Sequence, residues 1–360
     1  MANQSPARPL FFYLNHPAHY HLFKNAINQL IREGFSVKVG IVKKDVLEDL
    51  VKQENWDYVN LFPEGRRYKG LGILVTAVIN LFKGELRLYR FARKINASMI
   101  IGSEGTLAHA GFFCGVPSLL FNEDDSSATG WNWLFYPFAT KVILPTCCDR
   151  GKWNLKKVNY NGYHELAYLH PRFFTPDEHV VKSLGLLPGP YFILRLAELT
   201  AHHDKGKTGI TDTIALQIIN KLKQQGRVLI TSERPLKPEF EPYRLNIHPK
   251  DIFHVLAFAD LYIGDSQTMA AEAAVLGTPA IRFNDFVGKL GYLEELEHLY
   301  QLTFGIKTTD ADKMFEKINE ILAMPHRKSH WQNKRKVMLV EKMDVVDFMV
   351  ETIKAYLPKS

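Results

Sequence analysis

Apolar and polar positions along this chain come in short blocks that read as strand, turn and helix in succession. Leu10–Leu14 is an apolar run that stops at Asn15-His16-Pro17; Leu22, Phe23, Ala26, Leu30 and Ile31 then recur at helical spacing up to Gly34. That periodicity marks a helix packed on one face, and a glycine just beyond it is a stop signal. Val37–Val42 predicts the next strand, followed by a polar helix to about Gln53. Further strands are expected at residues 58–61, 99–101, 118–121 and 141–144. Strands alternating with helices predict a parallel, doubly wound sheet whose sites lie at the C-terminal strand ends.

Between about 165 and 190 the chain turns to proline, glycine and charge, with Pro171, Pro176, Pro188 and Pro190 interrupting regular structure. The pattern then restarts with Tyr191–Leu196, a helix over 211–224, a strand over 227–231, a further strand before Asp260–Ile263, the apolar run ending at Ile263, and, beyond the second apolar run at 280–283, helices to the end. The expected division is an N-terminal Rossmann-like domain over 1–170, a linker over 171–190 and a nucleotide-binding Rossmann-like domain over 191–340. A final helix within 341–360 is expected to pack back on the first domain. Two such halves in tandem create a cleft between facing strand ends.

The stretch 259–283, ADLYIGDSQTMAAEAAVLGTPAIRF, carries the most chemistry. An apolar run leads into Gly264-Asp265-Ser266-Gln267-Thr268; a small-residue helix follows to Leu276, then Gly277-Thr278-Pro279 and a second apolar run. A turn delivering free amides at a helix N-terminus is an anion site, most often for phosphate. Glu272 falls one helical turn further in, where a carboxylate accepts from sugar hydroxyls. The competing reading is an ordinary βαβ unit whose small residues serve close packing.

At 46% hydrophobic and 23% charged residues, the 360-residue chain has the composition of a globular protein. Its formal charge of +7 is spread out, with no nucleic-acid-binding signature, so nucleic acid is not expected as a partner. Cys114, Cys147 and Cys148 offer neither a disulfide framework nor metal spacing, which points to the cytosol. The start, MANQSPARPLFFYLN, lacks the pattern of a secretory signal. The apolar run 72–82 is shorter than the roughly 20 residues a membrane span needs. Arg66, Arg67 and Lys69 precede this run, and Lys83, Arg87, Arg90, Arg93 and Lys94 follow it. Such a basic rim would let a peripheral enzyme rest on anionic lipid at the inner membrane face. A buried helix followed by a basic amphipathic one gives the same pattern.

Several loops at predicted strand ends carry reactive groups. His16, His19 and His21 follow the first strand and are read as cleft-facing hydrogen-bonding groups or as caps; no partner completes a metal site there. Gly102-Ser103-Glu104-Gly105-Thr106, with His109 one turn on, places Glu104 as a catalytic carboxylate or a plain N-terminal acid. Glu123, Asp124 and Asp125 crowd one strand end, where mutual repulsion raises a carboxyl pKa toward general acid–base use and hard oxygens suit magnesium. In the second half, Arg195, Glu198, His202, His203, Asp204 and Lys207 follow the first strand. Arg195 and Lys207 suit phosphate, and His203 suits proton transfer.

With these residues in view, the chain resembles the domain of unknown function family 354, bacterial and archaeal proteins related to the GT-B superfamily. The resemblance rests on NHPAHYHLFKN, GSEGTLAHAGFFCGVPSLLFNEDD, GYHELAYLHP, LRLAELTAHHD and IGDSQTMAAEAAVLGTPAIRF. More distantly it is similar to non-hydrolysing UDP-N-acetylglucosamine 2-epimerases, whose Asp-Ser-Gly-Gly motif resembles Asp265-Ser266-Gln267-Thr268. That likeness implies Ser266 and the Gln267 and Thr268 amides on a diphosphate, and Glu272 on ribose. It also implies Glu123, Glu104 and His202 or His203 near the reacting sugar. Both motif glycines are replaced, position 271 is alanine, and the family's Gly-x-Arg-Pro turn has no counterpart.

The expectation is therefore an α/β, GT-B-like protein with two Rossmann-like domains facing across a cleft. Its expected activity is glycosyl transfer from a nucleotide sugar to a glycan or lipid-linked acceptor in cell-surface polysaccharide or glycolipid synthesis. The alternatives are a UDP-sugar 2-epimerase and a non-catalytic nucleotide-sugar binding protein. No cofactor or obligatory metal is expected. Glu123, Asp124, Glu104, His19 and His203 are the acid–base candidates. Ser266, Gln267, Thr268, Glu272, Asp265, Arg195 and Lys207 are the donor-binding candidates.

Overall fold

Apolar runs of four to six residues in this chain fold as strands covered on both faces. In the computed structural model, which describes residues 8–44, 46–63, 73–123, 125, 132–148, 151–197 and 209–358, twelve strands are present among the described residues. The first seven are β1 (Leu10–Leu14), β2 (Val37–Val42), β3 (Tyr58–Phe62), β4 (Met99–Gly102), β5 (Ser118–Phe121), β6 (Lys141–Pro145) and β7 (Lys157–Tyr160). They form one parallel sheet in the order β3-β2-β1-β4-β5-β6-β7. All five residues of β1 are buried, as a central strand between two helical layers requires.

The second sheet holds β8 (Tyr191–Leu196), β9 (Arg227–Ser232), β10 (Leu261–Gly264), β11 (Ala280–Phe283) and β12 (Thr303–Ile306). Its strands are also parallel, in the order β12-β11-β10-β8-β9. Each sheet has one place where the chain reverses its direction of growth: between β1 and β4 in the first, between β8 and β10 in the second. Crevices outside the carboxyl ends of strands at such switch points are where open α/β sheets bind ligands.

The described chain divides into two units, residues 8–168 with 343–358, and residues 169–342. The last helix, Val345–Ala355, thus belongs to the first unit. Asp344 caps it by accepting from the Val346 and Asp347 amides at 2.9 and 3.1 Å, and Phe348 stacks on Tyr160 at 5.1 Å. The Met343 amide donates to the Asn161 carbonyl at 2.9 Å where the chain re-enters.

The strand expected before Asp260 is instead the helix Ile252–Phe258, whose Phe253, Val255 and Leu256 are buried, and two observed strands have no counterpart in the sequence pattern. β7 and β12 are four-residue edge strands whose side chains are mostly only part-buried, so neither presents a continuous apolar run. No helix among the described residues is long and apolar enough to cross a membrane.

Candidate functional site

At the switch point of the second sheet, the turn after β10 is built around a buried carboxylate. Asp265 Oδ1 accepts the Ala197 amide at 2.7 Å and Oδ2 accepts the Ile210 amide at 3.1 Å. Burial raises the Asp265 pKa, and these two amide bonds oppose that rise. Asp265 thus ties the residue after β8 to Ile210, which precedes the Thr211 cap of the next helix, and its oxygens are engaged with main chain. Ser266 then caps the helix Gln267–Leu276: its Oγ accepts the Met269 amide at 3.4 Å. The amides of Gln267 and Thr268 lie in the first turn, where no intrahelical acceptor exists. Thr268 is exposed and Gln267 half-buried, so this end of the helix is open. Gly277, at φ 79°, ends the helix in the left-handed conformation.

Asn284 braces the turn from β11. Its Nδ2 donates to the Asp265 carbonyl at 3.1 Å, while Oδ1 accepts from Gln267 Nε2 and the Phe286 amide, both at 2.9 Å. The Gln267 side chain therefore serves the turn, leaving its main-chain amide as the group offered outward.

Register places Arg195, Gly264, Arg282 and Gly305 in one row across β8, β10, β11 and β12. A Cβ at Gly264 would lie 2.3 Å from Tyr262 Oη and 2.8 Å from Arg195 Cβ, so only glycine admits this approach. Arg195 keeps some surface, pairs through Nη2 with Glu233, and has a buried Nε without a hydrogen-bond partner. Arg282 is fully buried and bonds Glu297 at 2.6 Å and Glu294 at 3.4 Å. Glu272 is also buried; burial raises the Tyr262 pKa, the Arg195 charge opposes that rise, and the charges of Asp265, Glu272 and Glu233 add to it. Of the donor-binding candidates, Ser266, Gln267, Thr268, Asp265, Glu272 and Arg195 thus come together around one strand-end turn. Lys207, together with Glu198, His202, His203 and Asp204, lies outside the described residues.

The first unit gathers a different set at its own switch point. His16 caps the helix Pro17–Arg32, its Nδ1 accepting the Ala18 amide at 3.2 Å. His19 Nδ1 accepts the Asn15 amide at 3.4 Å. Burial, then the charges of His16, His164 and Lys44, lower the His19 pKa from 6.5 to about 3. The ring is neutral at pH 7, and with Nδ1 accepting, its proton sits on Nε2. Glu104, after β4, receives the Thr106 hydroxyl. His109 is drawn away from this loop: Nδ1 lies 2.7 Å from Glu85 Oε1, and Nε2 lies 2.8 Å from the Leu134 carbonyl.

Glu123, after β5, is held on both sides. Its amide donates to Asn122 Oδ1 at 2.8 Å, and its carbonyl accepts from Cys148 Sγ at 3.0 Å. A hydrogen bond to the Cys147 side chain, then burial, raise the Cys148 pKa, so the thiol keeps its proton for that bond. Glu123 Oε2 lies 3.4 Å from both the amide and Nδ1 of His164, a residue just beyond β7. His19 and His164 are close enough for their charges to interact. Asp124 lies outside the described residues. Asn284, Arg282, Tyr262 and His164 escaped the sequence reading. Asn284, Arg282 and His164 sit at or just beyond a strand's carboxyl end, and that position was the available signal; Tyr262 lies inside β10 and carries no such signal.

Two doubly wound parallel sheets of seven and five strands, each with a polar cluster at its switch point, define a GT-B-type α/β protein. Over residues 10–358 the chain belongs to the family described as "Protein of unknown function (DUF354)". It is 23% identical to "Uncharacterized protein MJ0665" of Methanocaldococcus jannaschii, covering 96% of this chain and 97% of the relative. The UDP-GlcNAc 2-epimerase from Neisseria meningitidis, solved bound to UDP-GlcNAc, is similar with TM-score 0.64 at 12% identity, covering 96% of this chain and all (100%) of that one. The glycotransferase of kitacinnamycin is similar with TM-score 0.63 at 9% identity, covering 98% of this chain and 100% of that one. These likenesses show the fold.

Proposed function

We propose that the protein transfers a sugar from a nucleoside-diphosphate donor to a hydroxyl of a glycan or lipid-linked acceptor. The observation that carries this reading is the turn after β10. There an open helix N-terminus, with the Gln267 and Thr268 amides, is fixed from three sides by Asp265, Ser266 and Asn284. Oriented amides and a helix dipole stabilise the negative charge that builds on the departing diphosphate, and Arg195 adds a cation from the same strand-end level. The epimerase structure bound to UDP-GlcNAc supports a uridine diphosphate donor.

In the reaction, a base takes the acceptor hydroxyl proton, the oxygen bonds to the anomeric carbon, and the bond from that carbon to the diphosphate breaks. Glu123 is the base in this reading, because its main chain is fixed on both sides and its carboxylate keeps some surface. His19 is a donor rather than a base, since its proton sits on Nε2.

Calorimetry with UDP tests the binding step: affinity is expected, and Glu272→Ala is expected to weaken it several-fold. Absence of UDP binding by the intact protein would overturn the reading. Incubation with UDP-GlcNAc in deuterium oxide tests the reaction. A transferase leaves C2 unexchanged, whereas deuterium at C2 establishes epimerase chemistry instead.

A further inference from the structure

The helix Thr106–Cys114 turns its last aromatic pair to solvent. Phe112 is 59% exposed and Phe113 is 67% exposed, although a surface helix ordinarily faces water with polar residues. Phe112 contacts Phe113 at 5.5 Å and Phe138 at 5.2 Å between ring centroids. Phe138 in turn packs against His109 at 4.6 Å. Trp133, 56% exposed, lies one short helix upstream of Phe138, and Leu155 is 96% exposed. Lys156 donates to the Pro137 and Ala139 carbonyls, on either side of Phe138. The contiguous rings of Phe112, Phe113 and Phe138 mark an interaction site rather than ordinary exposure.

Among the described residues, the neighbouring helix is basic. The helix Ile73–Lys94 runs beside Thr106–Cys114 and bears Lys83, Arg90, Arg93 and Lys94, all exposed. The acid on this stretch, Glu85, is bonded to His109. Arg93 reaches Tyr89 Oη at 2.8 Å, beside Cys114 at the end of the aromatic helix. We propose that this surface, Phe112, Phe113 and Phe138 flanked by Arg90, Arg93 and Lys94, seats the protein on an anionic lipid bilayer. Aromatic rings enter the boundary between headgroups and acyl chains, while exposed lysines and arginines meet the negative surface. Both components are needed, because each alone gives only weak, reversible attachment.

Flotation of the full chain with vesicles tests this. Wild type is expected to float with vesicles containing phosphatidylglycerol, less so at high salt, and far less with pure phosphatidylcholine. The double variant Phe112→Ser/Phe113→Ser is expected to lose at least tenfold in partitioning while keeping its melting temperature, since both rings are already exposed. If that variant fails to fold, Arg90→Glu/Lys94→Glu decides, with an expected loss on anionic vesicles only. Absence of wild-type flotation overturns the proposal, as does flotation unchanged in the folded variants. A dimer in gel filtration that Phe112→Ser/Phe113→Ser dissociates, without vesicle binding by wild type, would assign the face to a second copy of the chain instead.

Discussion

Asp265 accepts the Ala197 amide at 2.7 Å across the switch point of the second sheet, joining β8 to the turn that follows β10. The other oxygen accepts Ile210, so one carboxylate satisfies two main-chain donors. An asparagine has one accepting atom and one donating group, and one of the two amides would then face an N–H. Asp265→Asn is expected to lower unfolding free energy by about 1–3 kcal/mol, the cost of a buried donor left unpaired. UDP affinity should fall with it, because residue 265 fixes the cap at Ser266. Urea denaturation followed by calorimetry checks both. An unchanged midpoint would show that the clamp contributes nothing.

Arg282 is the most deeply buried charge among the described residues of the second unit, held by Glu297 at 2.6 Å. Glu297 Oε2 also accepts the Gly305 amide at 2.8 Å, so the carboxylate fixes β12 as well as the arginine. Removing one member of a buried pair leaves the other charge uncompensated, at a cost of about 3–5 kcal/mol. Arg282→Met should therefore destabilise strongly, and adding Glu297→Gln should recover part of the loss by neutralising the stranded carboxylate. Chemical denaturation of the two variants measures this. A double variant no more stable than Arg282→Met would remove the electrostatic explanation.

What was legible in the sequence follows from how local each feature is. β1, β2, β5 and β8 show as apolar runs because parallel strands are buried on both faces. Gly277 ends its helix as a stop residue whose partners lie within four positions, and it is legible as one; Ser266 reads in the sequence as a phosphate ligand, and its capping of the Met269 amide shows only in the backbone. The clamp at Asp265 is not legible, since its partners lie 68 and 55 positions away. Arg282 reads in AIRF as the polar end of a strand, and only the register beside Gly305 reveals why it is buried. The three histidines after β1 showed as a cluster. That His16 and His19 accept main-chain amides depends on backbone geometry, which spacing does not carry.

His19 gives the first unit a pH dependence with a definite sign. Its folded pKa of about 3 lies below the ordinary 6.5, because burial and then the His16 charge disfavour the cation. His21 is lowered likewise to about 4, by burial and then Lys24. In the window between these values and 6.5 the unfolded chain binds more protons than the folded one, so stability rises with pH and levels off above about 6.5. Wild type should accordingly lose stability between pH 7 and pH 5. His19→Gln keeps an acceptor for the Asn15 amide but has no proton to gain, so it should lose a measurable part of that slope. Urea midpoints at the two pH values give the comparison. If His19→Gln retains the full wild-type slope, the imidazole is not held neutral by its surroundings.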